Sequence, residues 1–104
     1  MEKVAFVMTL KPGYEQEYKK RHDEIWPELV EELKNAGVSD YSIFYEESSN
    51  KLFAVLKRED DHTMGALPNN AVVKKWWQHM ADIMDTHEDN EPVATDLRKV
   101  FHLD

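Results

Sequence analysis

Tyr18 and His22 are four residues apart in the stretch YKKRHDEIWPEL, residues 18 to 29. In a helix this spacing is about one turn, so the two side chains project from the same face. An imidazole exchanges protons near neutral pH, and a phenol beside it can hydrogen-bond a hydroxyl group of a ligand. The pair therefore predicts acid–base chemistry centred on His22. The alternative is a structural histidine, which is the commoner role of a lone imidazole.

Two adjacent tryptophans, Trp76 and Trp77, form the second candidate group. Neighbours on a helix point about 100° apart, so we expect one indole to pack against the core and the other to border a cleft or an interface. An indole face is flat and apolar, like the C–H face of a sugar ring. The alternative assigns both indoles to the core and an interface.

Two further aromatic residues have weaker signals. Tyr41 begins a predicted strand, where its hydroxyl either reaches the mouth of a pocket or lies in water. Trp26 precedes the helix-breaking Pro27, and we interpret it mainly as a packing residue. His102 lies on the last predicted strand, where an internal position is possible, and His79 is expected on the wet side of its helix.

Other kinds of site find little support in the sequence. Cysteine is absent, so thiol nucleophiles and thiolate metal sites are excluded. The DTHEDNE segment, residues 85 to 91, is acidic but lacks the ligand spacing of a metal-binding helix. No phosphate loop or dinucleotide fingerprint is present. The formal net charge of −8 opposes binding to a phosphate backbone, so no nucleic-acid partner is expected. We predict no cofactor and no metal.

Alternating and helical patterns along the chain define the elements that must position these residues. Pro27 should divide one long helical stretch into two helices, the first ending near His22 or Asp23, and Gly37 should cap the second. The predicted strands cover residues 4–10, 41–47, 52–59 and 97–104, and the predicted helical stretches cover residues 14–36 and 71–85.

This order, β-α-β-β-α-β, predicts an α+β fold of the ferredoxin-like type, with a four-stranded antiparallel sheet and helices on one face. The strands are apolar on both faces, as shown by Phe44 between Ile43 and Tyr45 and by Phe53 between Leu52 and Ala54. We therefore expect a second copy of the chain to cover the free face, giving a dimeric α+β barrel. The alternative cover is the loops together with the acidic segment, residues 85 to 96.

The length of 104 residues predicts a single domain, residues 1–104. The apolar run near the amino terminus is too short to span a membrane and has no basic flank or cleavage site, so we expect no membrane association and a cytoplasmic location.

Segments from end to end of the chain resemble the L-rhamnose mutarotase family, and RHDEIWPEL followed by the paired tryptophans is the most specific of them. The similar segments are AFVM at 5–8, EYKKRHDEIWPEL at 17–29, YSIF at 41–44, LFA at 52–54, WW at 76–77 and VF at 100–101.

The resemblance implies an isomerase of carbohydrate and rhamnose metabolism, a homodimer that interconverts the α and β anomers of L-rhamnose without a metal. It implies that His22 is the proton donor and that Tyr18, Tyr41, Trp76 and Trp77 bind the sugar. Asp23 stands where the resemblance leads us to expect asparagine, and it would raise the basicity of His22 if the two side chains approach.

The general base stays open between a nearby carboxylate, a bound water and His22 itself. A different class of function is also compatible with the sequence, namely a non-catalytic sugar-binding or adaptor dimer on the same fold. Fold analogy alone would also allow an oxidoreductase or a haem-handling protein.

Overall fold

The computed structural model describes residues 1–104, which form one four-stranded antiparallel sheet with helices packed on one face. The elements, in chain order, are β1 (Glu2–Thr9), α1 (Glu15–Asp23), α2 (Pro27–Asn35), β2 (Val38–Glu46), β3 (Lys51–Arg58), a 3-10 helix (Met64–Asn69), α3 (Ala71–Met80), a second 3-10 helix (Ala81–Ile83) and β4 (Thr95–Leu97).

The strand order in the sheet is β2-β3-β1-β4, so the predicted ferredoxin-like fold is confirmed. β1 and β3 pair along their whole length, with Phe6 opposite Ala54 and Met8 opposite Leu52. β2 pairs with β3 through a register irregularity between Ser39 and Ser42. This irregularity lies beside Tyr41, and strand irregularities commonly redirect a side chain.

The predicted break between the first two helices is also present, because α1 ends at Asp23 and α2 begins at Pro27. Trp26 has an extended backbone, with φ −65° and ψ 131°, which is the conformation that a following proline favours. Gly37 follows α2 with φ +90°, a left-handed conformation that glycine adopts without strain.

The prediction for the last strand is largely wrong. β4 covers only Thr95–Leu97, and residues 98–104 form no strand. β4 pairs with β1 at Ala5, Phe6 and Val7 only, so the residues beyond it are unpaired although β1 continues to Glu2. The possibility that His102 is internal is wrong for the same reason: its residue is exposed and its ring contacts the carboxylate of Asp104. The third helix is also shorter than expected, because the chain tightens into a 3-10 turn after Met80.

The hydrophobic core lies between the helices and one face of the sheet. The buried side chains on this face are Met8, Leu10, Leu52, Ala54 and Leu56. All of these except Leu56 form one cluster with Tyr18, Leu29, Val73, Trp76, Met80, Ile83 and Met84 from the helices and the segment after α3. None of the helices combines the length and apolarity needed to cross a lipid bilayer.

The other face of the sheet, which we call the open face, is uncovered within one chain. Phe44 and Phe53 lie opposite each other in the β2–β3 register and are 64% and 36% exposed. Leu97 of β4 is 43% exposed. The acidic segment therefore does not cover this face, and the alternative to a second copy is not supported.

Candidate functional site

Three of the residues selected from the sequence form one ring cluster where α1 ends beside α3. The rings of Tyr18 and His22 are stacked, with centroids 4.3 Å apart and planes 28° from parallel. Trp76 meets His22 edge-on at 5.4 Å. The one-turn spacing of Tyr18 and His22 places both rings on the helix face that packs toward the core.

The hydrogen bond of His22 determines which ring nitrogen faces outward. Its Nδ1 lies 3.0 Å from the carbonyl oxygen of Tyr18, one turn earlier in the same helix. A carbonyl can only accept, so Nδ1 carries a proton and donates it. In the neutral ring, Nε2 therefore holds the free lone pair.

Burial lowers the pKa of His22 below the usual value of 6.5. The backbone hydrogen bond to Tyr18 and the charge of Asp23 oppose this shift without reversing it. The Asp23 carboxylate is directed mainly at Lys19, whose Nζ lies 2.9 Å away. His22 is therefore predominantly neutral at pH 7, with Nε2 available to accept a proton.

The two tyrosines remain protonated at neutral pH. Burial raises the pKa of Tyr41 to about 12. The residue as a whole is 38% exposed, but its hydroxyl end is the more buried part of the side chain. Burial also raises the pKa of Tyr18, and interaction with Tyr41 adds to the rise. Tyr41 packs edge-on against Phe6, with ring centroids 6.4 Å apart. Both phenols can thus donate hydrogen bonds and neither is suited to act as a base.

The polar tips of this cluster have no partners within the chain. Tyr18 and Trp76 are each 8% exposed, yet the Tyr18 hydroxyl and the Trp76 indole N–H make no hydrogen bond to the protein. Every fully buried side-chain nitrogen or oxygen in the structure has a hydrogen-bond partner. These two atoms have none, so neither of them is fully enclosed. Together with Nε2 of His22, these groups form a set of solvent-reachable polar atoms on an apolar aromatic surface, which is typical of a ligand site.

The paired tryptophans differ in burial, and the expected core position of one indole is that of Trp76. Trp76 lies in the core and the ring cluster, whereas Trp77 is half-buried and packs against the core from outside. Trp77 has no ring contact with His22 like that of Trp76. A direct role for Trp77 therefore stays a prediction.

Two further aromatic rings, which the sequence did not assign to the site, contact the cluster. Trp26 packs edge-on against Trp76 at 5.1 Å, and the ring of His79 lies 5.5 Å from both indoles. His79 is exposed as expected, but it borders the site. Trp76 and His79 are three residues apart in a helix, and this spacing was the available signal for their contact.

One cavity of the structure is separate from this cluster. It has a volume of about 600 Å³ and lies between the start of α1 and the β2–β3 turn, lined by Gly13, Glu15, Gln16, Tyr45, Glu47 and Asn50. Its lining is acidic and polar, and its one aromatic hydroxyl already donates to Asn50. We assign the site to the ring cluster, because that is where the proton-transfer group and the open polar atoms meet. The structure contains no cluster of three or more histidine, aspartate or glutamate side chains that could hold a metal.

Comparison with known proteins gives one consistent result. Residues 3–103 match the family model described as L-rhamnose mutarotase. The L-rhamnose mutarotase of Rhizobium meliloti is 63% identical over 103 residues, covering 99% of both chains. That of Jannaschia sp. is 61% identical over 103 residues, also covering 99% of both chains.

A solved structure agrees with the sequence comparison. The crystal structure of L-rhamnose mutarotase FA22100 from Formosa agariphila superposes with a TM-score of 0.93 at 50% identity, covering 100% of both chains. Since the matches extend over the whole chain, it belongs to the L-rhamnose mutarotase family, whose members are isomerases.

Proposed function

We propose that this protein interconverts the α and β anomers of L-rhamnose by acid–base ring opening and closure at the ring cluster. The observation that carries the proposal is the geometry of His22, whose Nδ1 is held by the Tyr18 carbonyl and whose Nε2 is free on an aromatic surface. Family membership supports the choice of sugar.

The reaction exchanges one proton between two oxygens on the same carbon. The anomeric hydroxyl loses its proton as its oxygen forms the aldehyde carbonyl. The bond between the anomeric carbon and the ring oxygen breaks, and the ring oxygen gains a proton. Rotation of the aldehyde and the reverse steps on its other face then give the second anomer, with no net oxidation or reduction.

His22 can serve both halves of this exchange. Neutral Nε2 accepts the proton of the anomeric hydroxyl, and the imidazolium so formed donates to the ring oxygen. Both oxygens are bonded to the anomeric carbon, so a small movement of the ring nitrogen reaches either one. This proposal keeps the predicted role of His22 as proton donor and assigns the role of base, which the sequence leaves open, to the same residue.

The remaining residues hold the sugar in this proposal. Tyr18 and Tyr41 donate hydrogen bonds to hydroxyl groups, since their raised pKa values keep them protonated. The indole of Trp76 offers its edge and N–H, and we assign a contact with the sugar to Trp77, which is half-buried beside the core. The apolar surface suits the C–H faces and the methyl group of a deoxy sugar.

Saturation-transfer NMR between the two anomeric protons of L-rhamnose tests the activity directly. We expect protein to increase the exchange rate in proportion to its concentration. If the protein binds L-rhamnose but leaves exchange at the spontaneous rate, the non-catalytic sugar-binding alternative is correct.

We also propose that the protein is a homodimer through the open face. The exposed apolar side chains of this face are continuous with Leu97, and the tail that follows exposes Val100, Phe101 and Leu103 by 92%, 77% and 80%. Patches of this kind on a small protein mark an interaction surface. A two-fold axis would place the same surface of a second copy against it. The cytoplasmic location stays a prediction, which cell fractionation can test.

A further inference from the structure

Arg21 precedes His22 on α1 and is the residue that joins this helix to the end of α3. Adjacent residues of a helix point about 100° apart, so Arg21 reaches α3 while His22 faces the ring cluster. Its side chain is only 15% exposed, which is low for an arginine.

The guanidinium uses most of its hydrogen-bonding capacity in this position. Nη1 donates to Asp82 Oδ1 at 2.8 Å, and Nη2 donates to Asp82 Oδ2 at 3.2 Å. Nη1 also donates to the carbonyl oxygen of His79 at 2.7 Å, and Nε donates to Glu17 at 2.7 Å. The guanidinium therefore binds the Asp82 carboxylate at two points. It also donates to the His79 carbonyl oxygen, which lies in the last turn of α3 and so has no N–H partner within the helix.

This junction is where the site is assembled. His22 lies at the end of α1, two residues before the chain leaves the helix, and Trp76 lies one turn before His79 on α3. The end of α1 is not held in place by further helical residues, because the helix stops at Asp23 and α2 begins only at Pro27. The bonds from Arg21 to His79 and Asp82 thus cross the same gap as the contact between the His22 and Trp76 rings.

We propose that Arg21 and Asp82 are a positioning pair that sets the distance and angle of His22 relative to Trp76. The positioning role rests on the proposed function only in those experiments that measure catalysis. Geometry rather than charge is what the pair supplies, since a lysine would keep the charge and lose the planar fork.

Arg21→Lys is the test variant, because it preserves the charge and the aliphatic part of the side chain. Misplacing a catalytic group by about 1 Å can cost about a hundredfold in rate. We expect kcat for anomer exchange to fall by about ten- to a hundredfold, with a smaller change in KM because Tyr18 and Trp76 are unaltered. Asp82→Asn should produce a smaller fall, since its amide keeps one acceptor oxygen.

Arg58→Lys is the matched control. Arg58 binds Glu2 through Nε at 2.8 Å and is 25% exposed, but it links β1 to β3 rather than α1 to α3. We expect this variant to keep the wild-type kcat even if it loses a similar amount of stability in urea.

The nuclear Overhauser effect between the His22 and Trp76 ring protons provides a readout independent of activity. It should weaken in Arg21→Lys and remain in Arg58→Lys. Wild-type kcat and an unchanged Overhauser effect in Arg21→Lys would overturn the proposal, as would equal losses of kcat in both variants. If the wild-type protein does not exchange anomers, the proposed function fails, while the Overhauser effect still decides the positioning role.

Discussion

His22 owes its chemical character to one hydrogen bond and to burial. The Tyr18 carbonyl selects the tautomer with Nε2 free, and burial in the ring cluster lowers the pKa. Neither effect needs a metal or a charged relay residue. A neutral imidazole at pH 7 is suited to a reaction that begins by removing a hydroxyl proton.

At this scale, replacing His22 by alanine should remove the proton-transfer group without breaking the fold. General acid–base catalysis contributes about 10²–10⁴ in rate, so exchange of L-rhamnose anomers should fall by that factor. Saturation-transfer NMR measures the rate, and circular dichroism checks the fold. His87→Ala, in the exposed acidic segment, is the matched control and should keep full activity. Wild-type exchange in the His22 variant would refute its catalytic role.

The pH profile should report the same imidazole. Because the pKa of His22 is lowered from 6.5, the ring is neutral above that value and becomes protonated as the pH falls further. Protonation occupies Nε2, so kcat/KM should decline on the acid side of pH 6.5 and reach a plateau as the pH rises above it. The spontaneous rate is subtracted at each pH. A kcat/KM that increases as the pH falls would mean that His22 must be protonated before the sugar binds.

At the scale of elements, the site depends on how α3 is anchored at both ends. Its N-cap, Asn70, accepts from the backbone N–H groups of Val72 and Val73 at 2.9 and 3.2 Å. The Asn70 amide also donates to Glu32 of α2 at 2.9 Å, so one side chain both caps α3 and links it to α2. The other end of α3 is held by Arg21, as described above.

Asn70→Ala should therefore destabilise the protein. Loss of an N-cap costs about 0.5–2 kcal/mol, and the lost bond to Glu32 places this site at the upper end of that range. Asn70→Ser should recover the cap but not the link, giving an intermediate value. Urea unfolding measures the free energies, with Asn69→Ala as the control, since Asn69 is exposed and caps no helix. Equal stabilities for the Asn70 and Asn69 alanine variants would contradict the capping role.

At the scale of the whole molecule, the apolar open face predicts association. Phe44 is 64% exposed at the centre of β2, opposite Phe53 of β3. Phe44→Glu would place a charge in the proposed interface, where desolvation disfavours it. We expect analytical ultracentrifugation to give the mass of a dimer for the wild-type protein and that of a monomer for Phe44→Glu.

Gln16→Glu adds the same charge at an exposed position of α1 and should remain dimeric. If the wild-type protein is a monomer, or if both variants stay dimeric, the proposed interface is wrong.

Local patterns were sufficient to predict most of the fold and the centre of the proposed site. The alternating strands, the proline break and Gly37 predicted the sheet and the first two helices, and the one-turn spacing predicted the shared face of Tyr18 and His22. The last strand was not predictable in this way. Residues 98–104 have a strand-like composition, but their pairing with β1 stops at Leu97 although β1 itself begins at Glu2, so whether the tail stays on the sheet edge depends on tertiary packing and not on local pattern.

The sequence by itself determined which groups can transfer a proton and which can hold a sugar, since these are properties of residue type and of spacing within one helix. Only the tertiary structure decided that Trp76, and not Trp77, meets His22, that Trp26 and His79 border the same cluster, and that Arg21 joins the two helices. The physical reason is that these contacts cross between elements far apart in the chain, where distances depend on packing rather than on helical or strand periodicity.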